Sequence, residues 1–275
     1  MFDSPFHYNY TRLNELKIGK PAEFNTTAVI ETRRSVKTTD SLVLKQKKLR
    51  GRRFLLQNSK ISSTLKGGAT SYFVNAIGSH SSLDLEMSNA SCLVEINCKG
   101  KSRFDLKQRF SGISSLVVNV EKNSELEINI FSKSEGDSVL NIVGVNAGVL
   151  TIFISNLALK KHSDVILNIE NTGSAAVTLK SVVFESLGLK GMDFLKGSGS
   201  GETQIKTLLL GEDSTVNLLP SASIQNSKQL FSHSASIERI NNDELFYLQT
   251  RKFKKQEAEK IIWEGFLKNN VSDFK

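Results

Sequence analysis

The sequence predicts a mainly β chain that closes with a small helical part. Three observations carry this. From about residue 61 to 230, apolar and polar residues alternate with period two, in runs rich in Val, Ile, Leu and Thr. Gly, Asn, Ser and Asp separate those runs, and the helical crossovers of a βαβ fold are missing. Near residue 230 the pattern changes toward that of amphipathic helices.

The strand pattern is plain in "LVVNVEKNSELEINI" (116–130), "GVLTIFI" (148–154), "DVILNIE" (164–170), "AAVTLKSVVF" (175–184) and "STVNLLPSASI" (214–224). Apolar runs recur from Val118 to Leu140 to Val165, at offsets of 22 and 25, and from Leu126 to Leu150 to Val177, at offsets of 24 and 27. A repeat of that length suits one coil of a β-helix. The pattern alone leaves a β-sandwich open as the alternative. Further on, Asn242 is read as an N-cap, followed by Asp243 and Glu244, and "DELFYLQTR" as a short helix in which Leu245 to Leu248 anchor the turn out of the strands. A second helix follows over 254–269, with Ala258, Ile261, Ile262 and Phe266 on one stripe and Gly265 beside them. This helical hairpin either caps the last β coil or offers a surface to a partner. The organisation is therefore a basic, mixed segment over 1–60, where "TRLNEL" could begin a helix, a β core over 61–230, and a helical part over 231–275.

Composition narrows the function classes. Among 275 residues, 39% hydrophobic and 23% charged is the balance of an ordinary globular protein. Residues 1–20 lack a basic start followed by an apolar stretch, and "IVGVNAGVLTIFISNLAL" is too polar and alternating for a membrane span. The expectation is a soluble, cytoplasmic protein. The net charge is +8, and Lys45, Lys47, Lys48, Arg50, Arg52 and Arg53 supply six of those charges. Such a run could hold an anion or nucleic acid, but it carries no interleaved aromatic, and a solvated basic turn is the favoured reading. Cys92 and Cys98 lie six apart, on one face of a strand and about 20 Å from each other, too far for a shared bridge or metal. They read as half-buried thiols in a reducing compartment.

Catalytic motifs are missing. "KGSGSGETQIK" (196–206) lacks the order of a phosphate-binding loop and reads as a flexible loop between strands. His7, His80, His162 and His233 are far apart in sequence, and Glu125 and Glu127 look like the outward half of an alternating strand. Nothing here points to an enzyme.

The segment from Lys196 to Phe266 resembles the SufB/SufD family, the scaffold-type subunits of the SUF iron–sulfur cluster assembly system. The residues that carry it are Gly197, Gln204, Leu208-Leu209-Leu210, Pro220, Ser232-His233-Ser234-Ala235, Leu245-Phe246-Tyr247-Leu248, Arg251, Ala258 and Gly265-Phe266. Three positions depart from the pattern. Thr250-Arg251-Lys252 stands where Ser-Arg-Gly is usual, and Phe231 stands where some relatives have cysteine. Ser214 stands where SufB-type chains carry a cysteine, and a serine supplies no thiolate. The chain therefore looks more like SufD than SufB.

The resemblance implies a right-handed parallel β-helix with a C-terminal helical domain, and a non-catalytic subunit. It implies pairing through the β-helix with a SufB-like subunit or with a second copy as a homodimer. It also implies binding of a SufC-like ATPase through the C-terminal helices, with Leu245, Phe246, Tyr247, Leu248, Ala258, Ile261, Ile262 and Phe266 as the candidate contact set. An iron–sulfur cluster or iron would be held transiently at the dimer interface, where His233 is the candidate ligand. The competing role for His233 is a hydrogen bond at a domain junction. Two other functions rank below this one: a β-helical carbohydrate-active enzyme, which would need an acidic cluster, and a nucleic-acid-binding module using residues 45–53.

Overall fold

A computed structural model of the chain describes residues 27–31, 38–39, 53–56, 60–190, 195–218, 222–224 and 230–268. Strands β1 (Thr27–Glu31), β2 (Thr38–Thr39) and β3 (Arg53–Leu56) precede the main stack. The stack begins with β4 (Lys60–Lys66) and β5 (Ala69–Ile77). Three long strands follow, β6 (His80–Lys99), β7 (Lys101–Val120) and β8 (Glu125–Asn146). Shorter ones come next: β9 (Val149–Ala158), β10 (His162–Asn171), β11 (Ser174–Val183), β12 (Ser186–Lys190), β13 (Leu195–Gly197) and β14 (Ser200–Leu209). The last strands are β15 (Thr215–Leu218), β16 (Ala222–Ile224) and β17 (Phe231–Arg239), before helices α1 (Asn242–Thr250) and α2 (Lys255–Lys268).

From β3 onward the strands pair in parallel with the next coil. Lys101 lies beside Glu125, and Glu125 beside Val149, a step of 24 residues. Among the described strands, only β1 on β4 and β2 on β3 are antiparallel. The chain is a parallel β-helix of about six coils, which excludes the sandwich. Each coil has two arms. The first sheet stacks β4, the leading halves of β6, β7 and β8, then β9, β11, β14 and β17. The second stacks β3, β5, the trailing halves of the long strands, then β10, β12–β13 and β15–β16.

Two of the four sequence offsets match the register. Leu126 stacks on Leu150 and Leu140 on Val165, but Val118 stacks on Gly144 and Leu150 on Ala175. At the Phe110/Gly112 corner two extra residues enter the coil opposite, which lengthens the step at Val118 to 26; the ladder from Leu150 to Ala175 is regular, with a step of 25. Both slips are even, so the inside and outside faces were still assigned correctly.

Alternation places one aliphatic side chain per coil on each inward column. Ile61, Leu83, Leu106, Ile130, Ile154, Leu179 and Ile205 form one column, all buried. Each such side chain contributes roughly 1.5–3 kcal/mol by leaving water. Cys92 and Cys98 belong to the same core and are deeper than the half-buried placement expected; burial pushes both thiols up in pKa.

The turns also stack. Val149 N donates to Ser124 O, Ser174 N to Gly148 O, and Ser200 N to Gly173 O. At Gly173 a Cβ would stand 2.0 Å from Gly148 O, and at Gly199 it would stand 2.2 Å from Gly173 O. Asn146 and Asn171 brace the same corner: Asn146 Nδ2 donates to Asn171 Oδ1 at 2.8 Å, and Asn171 Nδ2 to Ser200 O at 2.8 Å. The glycines of 196–206 are therefore not a flexible loop. Ser198 and Gly199 form a turn pressed onto the coil below, between β13 and β14.

On the outer face of the first sheet, charges are laddered across coils. Asp105 receives Arg103 Nε at 2.9 Å and Asn129 Nδ2 at 3.0 Å, with His80 Nε2 at 2.7 Å. Burial raises its pKa, but these hydrogen bonds outweigh burial and hold the carboxyl below its ordinary value. Glu125 pairs outward with Lys101 at 3.1 Å, as its alternating position requires.

Two outcomes follow from this packing. Gly173→Ala should lower stability by ~1–3 kcal/mol in urea unfolding, because the added methyl meets backbone that cannot move. Gly265→Ala, in open space on α2, should raise it by ~0.5–1 kcal/mol in the same assay. Asp105 stabilises above its unfolded pKa, and that stabilisation is lost as pH falls through its lower folded value. Asp105→Asn should therefore flatten the fall of the urea midpoint between about pH 5 and pH 2.

Candidate functional site: the open end and the helical pair

The last strand, β17, pairs with β14 on one edge, and no described strand follows it. The register sets which of its residues face inward. Thr203 lies beside His233, Ile205 beside Ala235, and Thr207 beside Ile237. His233 thus ends the inward column Phe104, Ile128, Ile152, Val177, Thr203. In every earlier coil that position is roofed by the next. Here it is not, so His233 and Ala235 are exposed and Ile237 is 49% exposed. The His233 ring lies 5.9 Å from that of half-buried Phe231. On the second sheet, Ile224 is likewise exposed at the same end.

Ser214 sits in the turn before β15, buried, with its Oγ donating to Gly211 O at 2.6 Å. Arg239 closes the same turn from β17, its guanidinium donating to Gly211 O at 3.2 Å. Pro220 lies outside the described residues.

Helix α1 begins one residue earlier than the sequence reading, and α2 one residue later. Asn241, not Asn242, is the N-cap of α1, and its side chain accepts from Asp243 N at 2.9 Å. No residue of α1 is buried. Leu245 and Leu248 are half-buried, while Phe246 is 68% and Tyr247 56% exposed, with Arg251 stacked over the Tyr247 ring. An apolar tetrad that ought to anchor the turn instead shows its aromatic half to solvent.

Helix α2 does not cap the open end. It lies on the outer face of the first sheet, against Leu157, Val182 and Leu208. Those three form one outward column across β9, β11 and β14. The same column reads Arg109 and Lys133 in the coils before and Glu238 in the coil after. The helix thus sits where charge gives way to aliphatic side chains. Its buried residues are Ala258 and Leu267, with Ile262, Trp263 and Phe266 half-buried. Ile261 is 42% exposed and Gly265 faces open space, so the stripe expected from Ala258, Ile261, Ile262, Gly265 and Phe266 is rotated toward Trp263 and Leu267.

The other sequence candidates lie elsewhere. Lys45, Lys47, Lys48, Arg50 and Arg52 fall outside the described residues, as do His7, "TRLNEL" and the side chain of Arg53. His162 pairs with Asp164 at 2.7 Å on the second sheet, whereas His233 is on the first. Among the described residues, no three His, Cys, Asp or Glu side chains converge as a metal site. No described helix is long and apolar enough to cross a membrane.

The sequence comparisons fall on this same stretch. Residues 198–266 match the SUF system FeS cluster assembly SufBD core domain. An iron–sulfur cluster assembly SufBD family protein of Galdieria sulphuraria is 36% identical over 66 residues, 24% of this chain and 30% of the relative. Similar proteins of Porphyra purpurea and Staphylococcus aureus are each 31% identical, over 67 and 72 residues. The match spans 14% and 15% of those two relatives, so less than a third of any of the three is aligned. The matched residues run from the turn before β14 through the open end to the docked face of α2, and over that stretch the chain is similar to the SufBD proteins of the SUF system.

Proposed function

We propose that the protein is a non-catalytic subunit of a SUF-type iron–sulfur cluster assembly complex. The observation that carries this is positional. The family match covers the two surfaces that the rest of the fold leaves uncovered, the roofless last coil and the aromatic face of α1. An exposed solenoid end with Ile224, Phe231 and Ile237 calls for another surface to lie on it. The occupant is a SufB-like subunit or a second copy of this chain. The exposed Phe246, Tyr247 and Ile261 form the contact for a SufC-like ATPase.

The cluster is the cargo of such a complex. This chain offers His233 at the open end as a nitrogen ligand, while its thiols, Cys92 and Cys98, are sealed in the core. The remaining ligands would come from the partner across the end. Ser214 hydrogen-bonds within its own turn and lacks a thiol, which favours a SufD-like over a SufB-like role.

Association with a purified SufC-type ATPase, read by light scattering at micromolar concentration, tests the reading; no complex under those conditions would overturn it. Phe246→Asp with Tyr247→Asp should weaken that association at least about tenfold. The thermal midpoint should stay unchanged, since both side chains are exposed. Ile237→Asp should abolish end-to-end pairing, seen as a halved mass, while leaving ATPase binding in place.

A further inference from the structure

Lys180 occupies an outward position on β11, in the column Phe131, Ser155, Lys180, Lys206, Ser236. It is buried under α2. Its Nζ donates to Phe266 O at 3.1 Å and lies 5.7 Å from the centroid of the Phe266 ring. Phe266 is in the last turn of α2, where carbonyls lack intrahelical donors and the helix dipole is negative. Among the described residues no carboxylate pairs with Lys180; its neighbour across the ladder is another cation, Lys206. Burial, and secondarily Lys206, pushes the amine's pKa down. A cation placed here, beside a column of Leu157, Val182 and Leu208, is costly to desolvate, and what it gains comes from α2.

We propose that Lys180 is the residue through which the β-helix grips the C-terminal turn of α2, so that force on the helical pair is delivered to β11 and to the strands beside it. The proposal rests on the reading of the helical pair as the ATPase-binding element. The apolar contacts of Leu267 and Trp263 hold the helix against the sheet but let it slide, because dispersion and hydrophobic contact are non-directional. A charged hydrogen bond to one carbonyl fixes the register of the helix along the sheet. β11 pairs with β14, and β14 with β17, so the gripped strand is two hydrogen-bonded steps from His233.

The full chain with Lys180→Met and Lys180→Arg tests this. The chain's one tryptophan, Trp263, lies on α2 and reports docking through acrylamide quenching; hydrogen exchange of residues 255–268 gives the same information. Lys180→Met should speed exchange in α2 about tenfold, the loss expected for a hydrogen bond to a charged group, and raise quenching of Trp263. Exchange in β6 and β7 should stay as in the wild type, which separates the effect from misfolding. Lys180→Arg, which keeps the donor, should restore slow exchange. If Lys180→Met protects α2 as well as the wild type or better, the proposal is wrong and the cation only costs desolvation.

With a SufC-type ATPase and ATP added, the methionine variant should bind within about twofold of the wild type, as expected for a distant site. It should lose any ATP-dependent change in exchange at β17. A wild-type response there in Lys180→Met overturns the coupling. Failure of the ATPase to bind even the wild type overturns the functional reading instead, while the first experiment still decides the grip.

Discussion

Every coil of this protein is held in place by the backbone of the coil before it. The turn carbonyls of Ser124, Gly148 and Gly173 each accept the first amide of the next strand, and the chain passes so close that Gly173 and Gly199 have no room for a side chain. That contact fixes the register, and the register decides everything else. It lines Ile61 through Ile205 into one buried column, sets Leu157 over Val182 over Leu208 outside, and leaves His233 at the head of a column with no roof. A slip of one residue at any turn would exchange the core for the surface.

The matched stretch therefore has two sides that one strand stack connects. β14 carries Thr203 and Ile205 inward, beneath His233 and Ala235, and Leu208 outward, beneath α2. The helical seat lies on the outward face of β14, and the open end lies one strand further along the stack, at β17. A displacement of the helices cannot leave the last coils unaffected, because the interior between them is close-packed.

Much of this was legible in the sequence, and the failures share a cause. Alternation gave strands, inside faces and coil length, because those are local properties repeated many times. The change to helical period and the acidic start of α1 gave the helices to within a residue. What could not be read was anything decided by a neighbour one coil away. The seat of α2 shows only once Arg109, Lys133, Leu157, Val182, Leu208 and Glu238 are known to share a column. Nothing local in "AAVTLKSVVF" marks Lys180 as covered by a helix, for the same reason. Leu245 to Leu248 looked like an anchor because apolar residues are ordinarily covered by their own chain, and here Phe246 and Tyr247 are not. His233 stood out only through the family resemblance, and the register then showed why an imidazole at that position meets solvent.

The stack also works as a ruler. Each coil adds about 4.8 Å along the axis, so the distance from the antiparallel cap at β1 to the open end is a count of coils. The seat of α2 involves β9, β11 and β14, with Ile240 just after β17, the final part of that count. Coils gained or lost before β9 would change how far the far end reaches without moving the helices relative to His233. The length of this architecture and the geometry of its working end can thus vary independently.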